Sequence, residues 1–320
     1  MKVLFLVQSN RNKRSVLDSL YEAIGEHCDL ETRWLEDDQQ ADLRKYFKQN
    51  VNADRYDRIM LFLRFKKEIQ QVSFLRTIPN LVFLEYDAYQ NYFECKYRGK
   101  FSAHYRQIPW VRVISSGATV TRRLQEEGFD VHFVPKGYDQ KMLANERRER
   151  DIELAFLGST KNRLYWQRKA FLEQLVTEEN LLITRTSSGE EYKDTLNRVR
   201  FFVSADIGMQ EYMLKNFEAM ACGCVLFAYD QGEEENRAMG FVDMENIVLY
   251  QDLMSFKARL EQLRGDDALA EKISHNGQKL VEERFTFAKL GKDVVNALQA
   301  PLRPMQEPSA WQRLRNRVGV

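Results

Sequence analysis

Short apolar runs alternate with amphipathic stretches along most of the chain, and the alternation occurs as two consecutive series. In the first, residues 3–7 (Val-Leu-Phe-Leu-Val), 57–63, 80–84, 111–114 and 130–134 read as strands. Residues 15–24, with Val16, Leu17, Leu20 and Ile24 on one face, and 118–127, ended by Gly128, read as helices. A second series follows, with strands at 152–157, 181–184, 201–204, 225–227 and 247–250. Helices are expected over 165–177, 190–199 and 233–239, and over 253–298 apart from a break at Gly265-Asp-Asp. Such alternation predicts parallel sheets with helices on both faces. The expected class is therefore α/β, with two Rossmann-like doubly wound domains facing across a cleft. A chain of 320 residues is long enough for each to bury its own core. The divisions expected are 1–139, a charged linker at 140–150, 151–300, and a basic tail at 301–320.

The composition, 44% hydrophobic and 30% charged, is that of a soluble globular protein, and the net charge of +1 supplies no global field to recruit nucleic acid. Cys28, Cys95, Cys222 and Cys224 are too few and scattered for a disulfide framework, which fits a reducing cytoplasm. The opening apolar run is far shorter than a signal peptide or membrane span. In the tail, Arg313, Arg315 and Arg317 accompany Trp311, Leu314 and Val318. That pattern suits either a solvated end or peripheral contact with an anionic membrane at the inner face.

The stretch 210–230 carries the most chemistry. Met213, Phe217, Met220 and Ala221 recur at helical spacing, and Gly223 supplies a left-handed stop before the buried run Val225-Leu-Phe227. Helical geometry across the whole stretch would set Glu211 and Glu218 in line two turns apart, with Lys215 between them. That face is compatible with a solvated salt-bridged surface and with a carboxylate that accepts hydroxyls in a cleft.

The string Asn216-Phe-Glu-Ala-Met-Ala-Cys-Gly223 resembles the donor-site signature of GT-B glycosyltransferases, in particular the CgeB-type, spore-protein-like branch related to glycosyltransferase family 4. Val134-Pro-Lys-Gly-Tyr-Asp139 is similar to the turn that closes the first domain in that family, and Phe156-Leu-Gly-Ser159 to a donor-side segment of the branch. The resemblance implies a GT-B enzyme that moves a sugar from a nucleotide-diphosphate donor to a glycan, lipid-linked or protein acceptor in bacterial cell-surface polysaccharide or lipopolysaccharide biosynthesis. It implies no metal or other cofactor, since basic side chains and a helix N-terminus offset the leaving diphosphate, and it implies retention of anomeric configuration. Gly158, Ser159, Lys161, Arg163, Lys215, Asn216 and Glu218 would bind nucleotide and diphosphate, with Glu218 on the ribose. Family-4 enzymes place a second glutamate where this chain has Gln210, with Glu211 one residue away. These two are the candidates for reading the sugar.

On the acceptor side, His104 is the candidate general base or orienting group, since histidine is the residue type suited to proton transfer near neutral pH, and Asp87, just beyond an apolar strand, is a candidate catalytic carboxylate. Leu84-Glu-Tyr-Asp87 also admits a competing reading as a degenerate metal-binding Asp-x-Asp of a GT-A enzyme. Two further rivals are a GT-B epimerase or hydrolase acting on the nucleotide sugar itself, and a non-catalytic nucleotide-sugar-binding protein.

Overall fold

The computed structural model describes residues 1–9, 16–160, 166–186 and 189–305. Eleven strands are described: β1 (Lys2–Gln8), β2 (Asp29–Leu35), β3 (Arg58–Phe62), β4 (Leu81–Glu85), β5 (Arg112–Ser115), β6 (Asp130–Phe133), β7 (Ile152–Leu157), β8 (Leu182–Thr184), β9 (Val199–Ser204), β10 (Val225–Tyr229) and β11 (Val248–Tyr250). They form two sheets, ordered β2-β1-β3-β4-β5-β6 and β11-β10-β9-β7-β8, and every pairing is parallel. Both orders reverse direction next to their first strand, the doubly wound arrangement expected from the alternation.

The apolar runs became strands because they are covered on both faces. Val3 to Val7 and Leu81 to Leu84 are all buried, as are Val225 to Ala228. β2 has no counterpart among the expected strands, for a physical reason. It pairs only with β1 at the sheet edge, and its sequence Asp-Leu-Glu-Thr-Arg-Trp-Leu leaves most positions partly exposed. An edge strand needs no continuous apolar run.

The C-terminal helices also depart from expectation. A second break falls at Phe285-Thr286, where the Thr286 hydroxyl caps the helix Phe287–Gln299 by accepting from the Lys289 amide. That helix returns to the first sheet and buries Phe287, Leu290, Val294 and Leu298 against Val3, Phe5 and Leu20. Arg112, buried on β5, donates to the carbonyls of Ala297, Ala300 and Pro301 and pairs with Asp130 at 2.9 Å. No helix among the described residues is long and apolar enough to cross a membrane. The tail beyond residue 305, with its basic amphipathic pattern, lies outside the described residues.

Candidate functional site

The central helix is shorter than its sequence pattern suggests, running from Leu214 to Ala221. Gln210 takes a left-handed backbone at φ 59°, and Met213 is extended. Glu211 and Glu218 therefore do not share a helix face, which corrects the expected Glu–Lys–Glu line. The local cause is an ion pair. Glu211 is fully buried and pairs with buried Lys136 of the first domain, drawing the preceding loop out of helical register. Ser116 Oγ adds a weak donor at 3.4 Å. Gly117 makes the approach possible, since a Cβ there would lie 2.6 Å from Glu211 Oε2. Gln210 likewise faces the first domain, accepting from Arg123 at 2.8 Å. Gly223, at φ 78°, ends the helix as expected.

Glu218 and Lys215 project from this helix toward the carboxyl edge of the second sheet, where two adjoining pockets meet. The first, about 350 Å³, is lined by Gly158, Ser159, Arg185, Tyr192, Lys215 and Glu218 among others. Glu218 is buried, and the Tyr192 hydroxyl donates to its Oε2 at 2.5 Å. Burial pushes the Glu218 carboxyl above the usual range, opposed by Tyr192 and Lys215. The second pocket, about 490 Å³, lies between the domains. Tyr86, Asp87 and Lys136 line it from the first domain, and Arg168, Ser204, Asp206 and Asn216 from the second. Gly158, Ser159, Leu214 and Lys215 belong to both and form the neck. Lys215 Nζ donates to the Leu157 carbonyl, and burial lowers its pKa. A Cβ on Gly158 would lie 2.8 Å from the Phe156 ring.

The neck sits beside the end of β7, and Ser204 with Asp206 marks the end of β9. These are the strands flanking the reversal in the second sheet, the crevice where doubly wound folds bind ligands. The helix Leu214–Ala221 begins there, so its N-terminal partial positive charge adds to the field of Lys215, Arg168 and Arg185. A larger cavity, about 770 Å³, opens at the other end of this sheet. Three of its four arginines are committed to structure. Arg148 pairs with Glu146 and Asp194, Arg200 with Asp267, and Arg150 donates to the carbonyls of Leu196, Val199 and Cys222. Size therefore yields to chemistry, and the neck is the stronger candidate.

Of the expected residues, Gly158, Ser159, Lys215, Asn216 and Glu218 come together at the two pockets, with Asp87 facing them across the cleft. Lys161 and Arg163 lie outside the described residues. His104 does not reach the cleft pockets. It is 2% exposed inside the first domain, packed between Phe65 and Phe83, with Nε2 3.0 Å from buried Glu68. Gln210 and Glu211 are turned to the domain interface. Glu85 is turned inward: its carboxyl accepts from the Asp87 amide at 2.7 Å, and burial drives its pKa well up. The second sheet also removes the ground for a GT-A reading.

Several site residues were missed by sequence reasoning. Lys136 sits in the quoted Val134–Asp139 turn, where only the turn itself was read. Tyr192, Arg185, Arg168 and Asp206 carry no local motif and meet only through the fold. Glu235 was missed as well. It is fully buried, and its Oε2 accepts from the Thr119 amide at 2.9 Å, at the start of the helix Ala118–Glu126 in the first domain. Burial raises its pKa to about 8, with Glu211 adding to the rise; burial likewise raises Glu211 to about 7 against the pull of Lys136.

Carboxyls raised in the folded state bind protons more readily there than in the unfolded chain. The stability they lend is full below about pH 4.5 and falls as pH rises, through about 7 for Glu211 and about 8 for Glu235. Glu235→Gln keeps an acceptor for Thr119 and cannot ionise. It is expected to raise the melting temperature at pH 8.5, by roughly 2–4 °C per kcal/mol recovered, and to change it little at pH 5. A uniform shift across scanning-calorimetry runs at both pH values would contradict the assignment.

Comparison with known proteins agrees with the fold. Residues 137–295 match the family described as Glycosyl transferase-like. No curated protein is a significant sequence match. Among solved structures, Anabaena Alr3699/HepE in complex with UDP is 13% identical at TM-score 0.65, over 94% of this chain and 100% of that one. Sucrose-phosphate synthase from Thermosynechococcus elongatus is 13% identical at TM-score 0.67, over 92% and 98%. S. aureus MnaA, solved with UDP, is 12% identical at TM-score 0.55, over 93% and 96%. The chain has the GT-B fold, and its second half is similar to the family described as Glycosyl transferase-like.

Proposed function

We propose that the protein is a glycosyltransferase that binds a nucleotide-diphosphate sugar across the neck at Lys215 and transfers the sugar to an acceptor held against the first domain. The observation that carries this reading is the pair of pockets joined at Gly158, Ser159, Leu214 and Lys215. A nucleoside on the Glu218 side leaves its diphosphate at the neck and its sugar in the inter-domain pocket. An ionised carboxylate has capacity for several hydroxyls, so Glu218 holds the ribose while Tyr192 fixes its orientation. Lys215, Arg185 and the helix N-terminus oppose the charge that grows on the departing diphosphate. Fixed cations do this work without a divalent ion. Lys161 and Arg163 follow the Gly158-Ser159 turn in sequence, and the family resemblance implies the same role for them.

Asp87 is the acidic group lining the cleft from the first domain, where an acceptor hydroxyl would enter, and it is the candidate to orient that hydroxyl or take its proton. The resemblance to family 4 favours retention of configuration and a glycan, lipid-linked or protein acceptor in cell-surface polysaccharide or lipopolysaccharide synthesis. A cytoplasmic site of action, with the tail resting on the inner membrane face, suits such an acceptor.

The test is a thermal-shift panel of UDP, GDP, ADP, CMP and dTDP derivatives, followed by turnover of the best donor. UDP comes first because solved neighbours of the same fold hold it. The reading predicts stabilisation that grows with ligand concentration, and acceptor-dependent release of nucleotide that persists with a chelator present. Fast conversion of donor without acceptor would favour an epimerase or hydrolase. Tight binding with no turnover would favour a binding protein.

A further inference from the structure

We infer that Asn216 reads a hydroxyl of the transferred sugar and so sets which sugar the donor pocket accepts. The inference rests on the nucleotide-sugar reading above. Asn216 is fully buried on the helix Leu214–Ala221 and lines the inter-domain pocket, and neither its Oδ1 nor its Nδ2 has a hydrogen-bond partner. A buried amide with both ends unpaired is costly and uncommon, and points to a ligand that pairs it.

Five of its polar neighbours in the pocket are already engaged. Ser204 donates to Asp206 at 2.8 Å, Arg168 pairs with Asp206, Lys215 donates to the Leu157 carbonyl, and Lys136 pairs with Glu211. Gln210 and Glu211, the residues expected to read the sugar, face the domain interface instead.

The chemistry of the amide selects the ligand group. A phosphate oxygen only accepts, so it would satisfy Nδ2 and strand Oδ1. A sugar hydroxyl both donates and accepts, and two adjacent hydroxyls satisfy both ends of the amide. An epimer with that hydroxyl inverted leaves the amide unpaired, the kind of mismatch that a polar site rejects far better than an apolar one does.

Calorimetric titration of UDP, UDP-glucose, UDP-galactose, GDP and GDP-mannose into the wild-type protein, Asn216→Ala and Asn216→Leu tests the inference. The leucine variant preserves shape without adding charge beside the diphosphate, and guards against a folding defect in the alanine one. The bare diphosphate is expected to bind all three proteins within about two-fold, while the preferred nucleotide sugar weakens about ten-fold in both variants. Discrimination between glucose and galactose donors should also collapse. Equal losses for diphosphate and nucleotide sugar, or an unchanged sugar preference, would overturn the role of Asn216 and leave the nucleotide site standing. Failure of every nucleotide to bind the wild-type protein would instead remove the site, and this inference with it.

Discussion

Glu218→Ala is expected to weaken binding of the donor nucleotide about 100-fold. Two ribose hydroxyls donating to a buried carboxylate contribute roughly 1.5–3 kcal/mol each, and the pair is not fully additive, which places the loss near 3 kcal/mol. The carboxylate is preset for the task. It is buried on a helix that starts at the carboxyl edge of the sheet, and the Tyr192 hydroxyl holds one of its oxygens. Tyr192→Phe removes the tether and leaves the charge, so its loss should be several-fold smaller. Because burial raises the Glu218 pKa, protonation begins at a higher pH than for an ordinary carboxyl, and affinity should decline correspondingly early on acidification. Titration calorimetry on the folded variants decides the matter: unchanged affinity in Glu218→Ala would remove the ribose role.

The second large effect concerns stability. Lys136→Met strands the Glu211 carboxylate inside the domain interface, and removing one partner of a buried pair costs roughly 3–5 kcal/mol. At about 2–4 °C per kcal/mol for a chain of this size, the melting temperature should fall by on the order of 10 °C at pH 8. The loss should shrink on acidification, because Glu211, already raised by burial and no longer held down by Lys136, takes up a proton and needs no cation. Adding Glu211→Gln to Lys136→Met should recover much of the loss, because the uncompensated charge is then gone. A single-variant loss under 1 kcal/mol at pH 8, or no recovery in the double variant, would contradict the pair's role in joining the domains.

The elements that were legible in the sequence are those whose cause is local. Val3 to Val7, Leu81 to Leu84 and Val225 to Ala228 are buried on both faces, so their apolar runs declare strands directly. Gly223 ends its helix because that turn needs positive φ. Lys215, Asn216 and Glu218 share one helix, so a linear motif was enough to bring them to the two adjoining pockets. The failures have tertiary causes. The helical pattern from Gln210 to Met213 gives way to an ion pair with a residue 75 positions earlier. β2 was hidden by its place at the sheet edge, and the role of Lys136 depends on a partner in the other domain. His104 illustrates the reverse error: its chemistry suits a base, while the fold places it in a core against Glu68. Tyr192, Arg185 and Asp206 reach the site from separate loops and helices, and no spacing in the chain announces them.

A crystal structure with a bound nucleoside diphosphate tests the account most directly. The ribose should lie within hydrogen-bond distance of the Glu218 carboxylate, the diphosphate at the neck beside Lys215 and Gly158, and the inter-domain pocket should open beyond the terminal phosphate. A nucleotide seated in the arginine-lined cavity at the opposite end of the second sheet, or bound with its ribose away from Glu218, would contradict it.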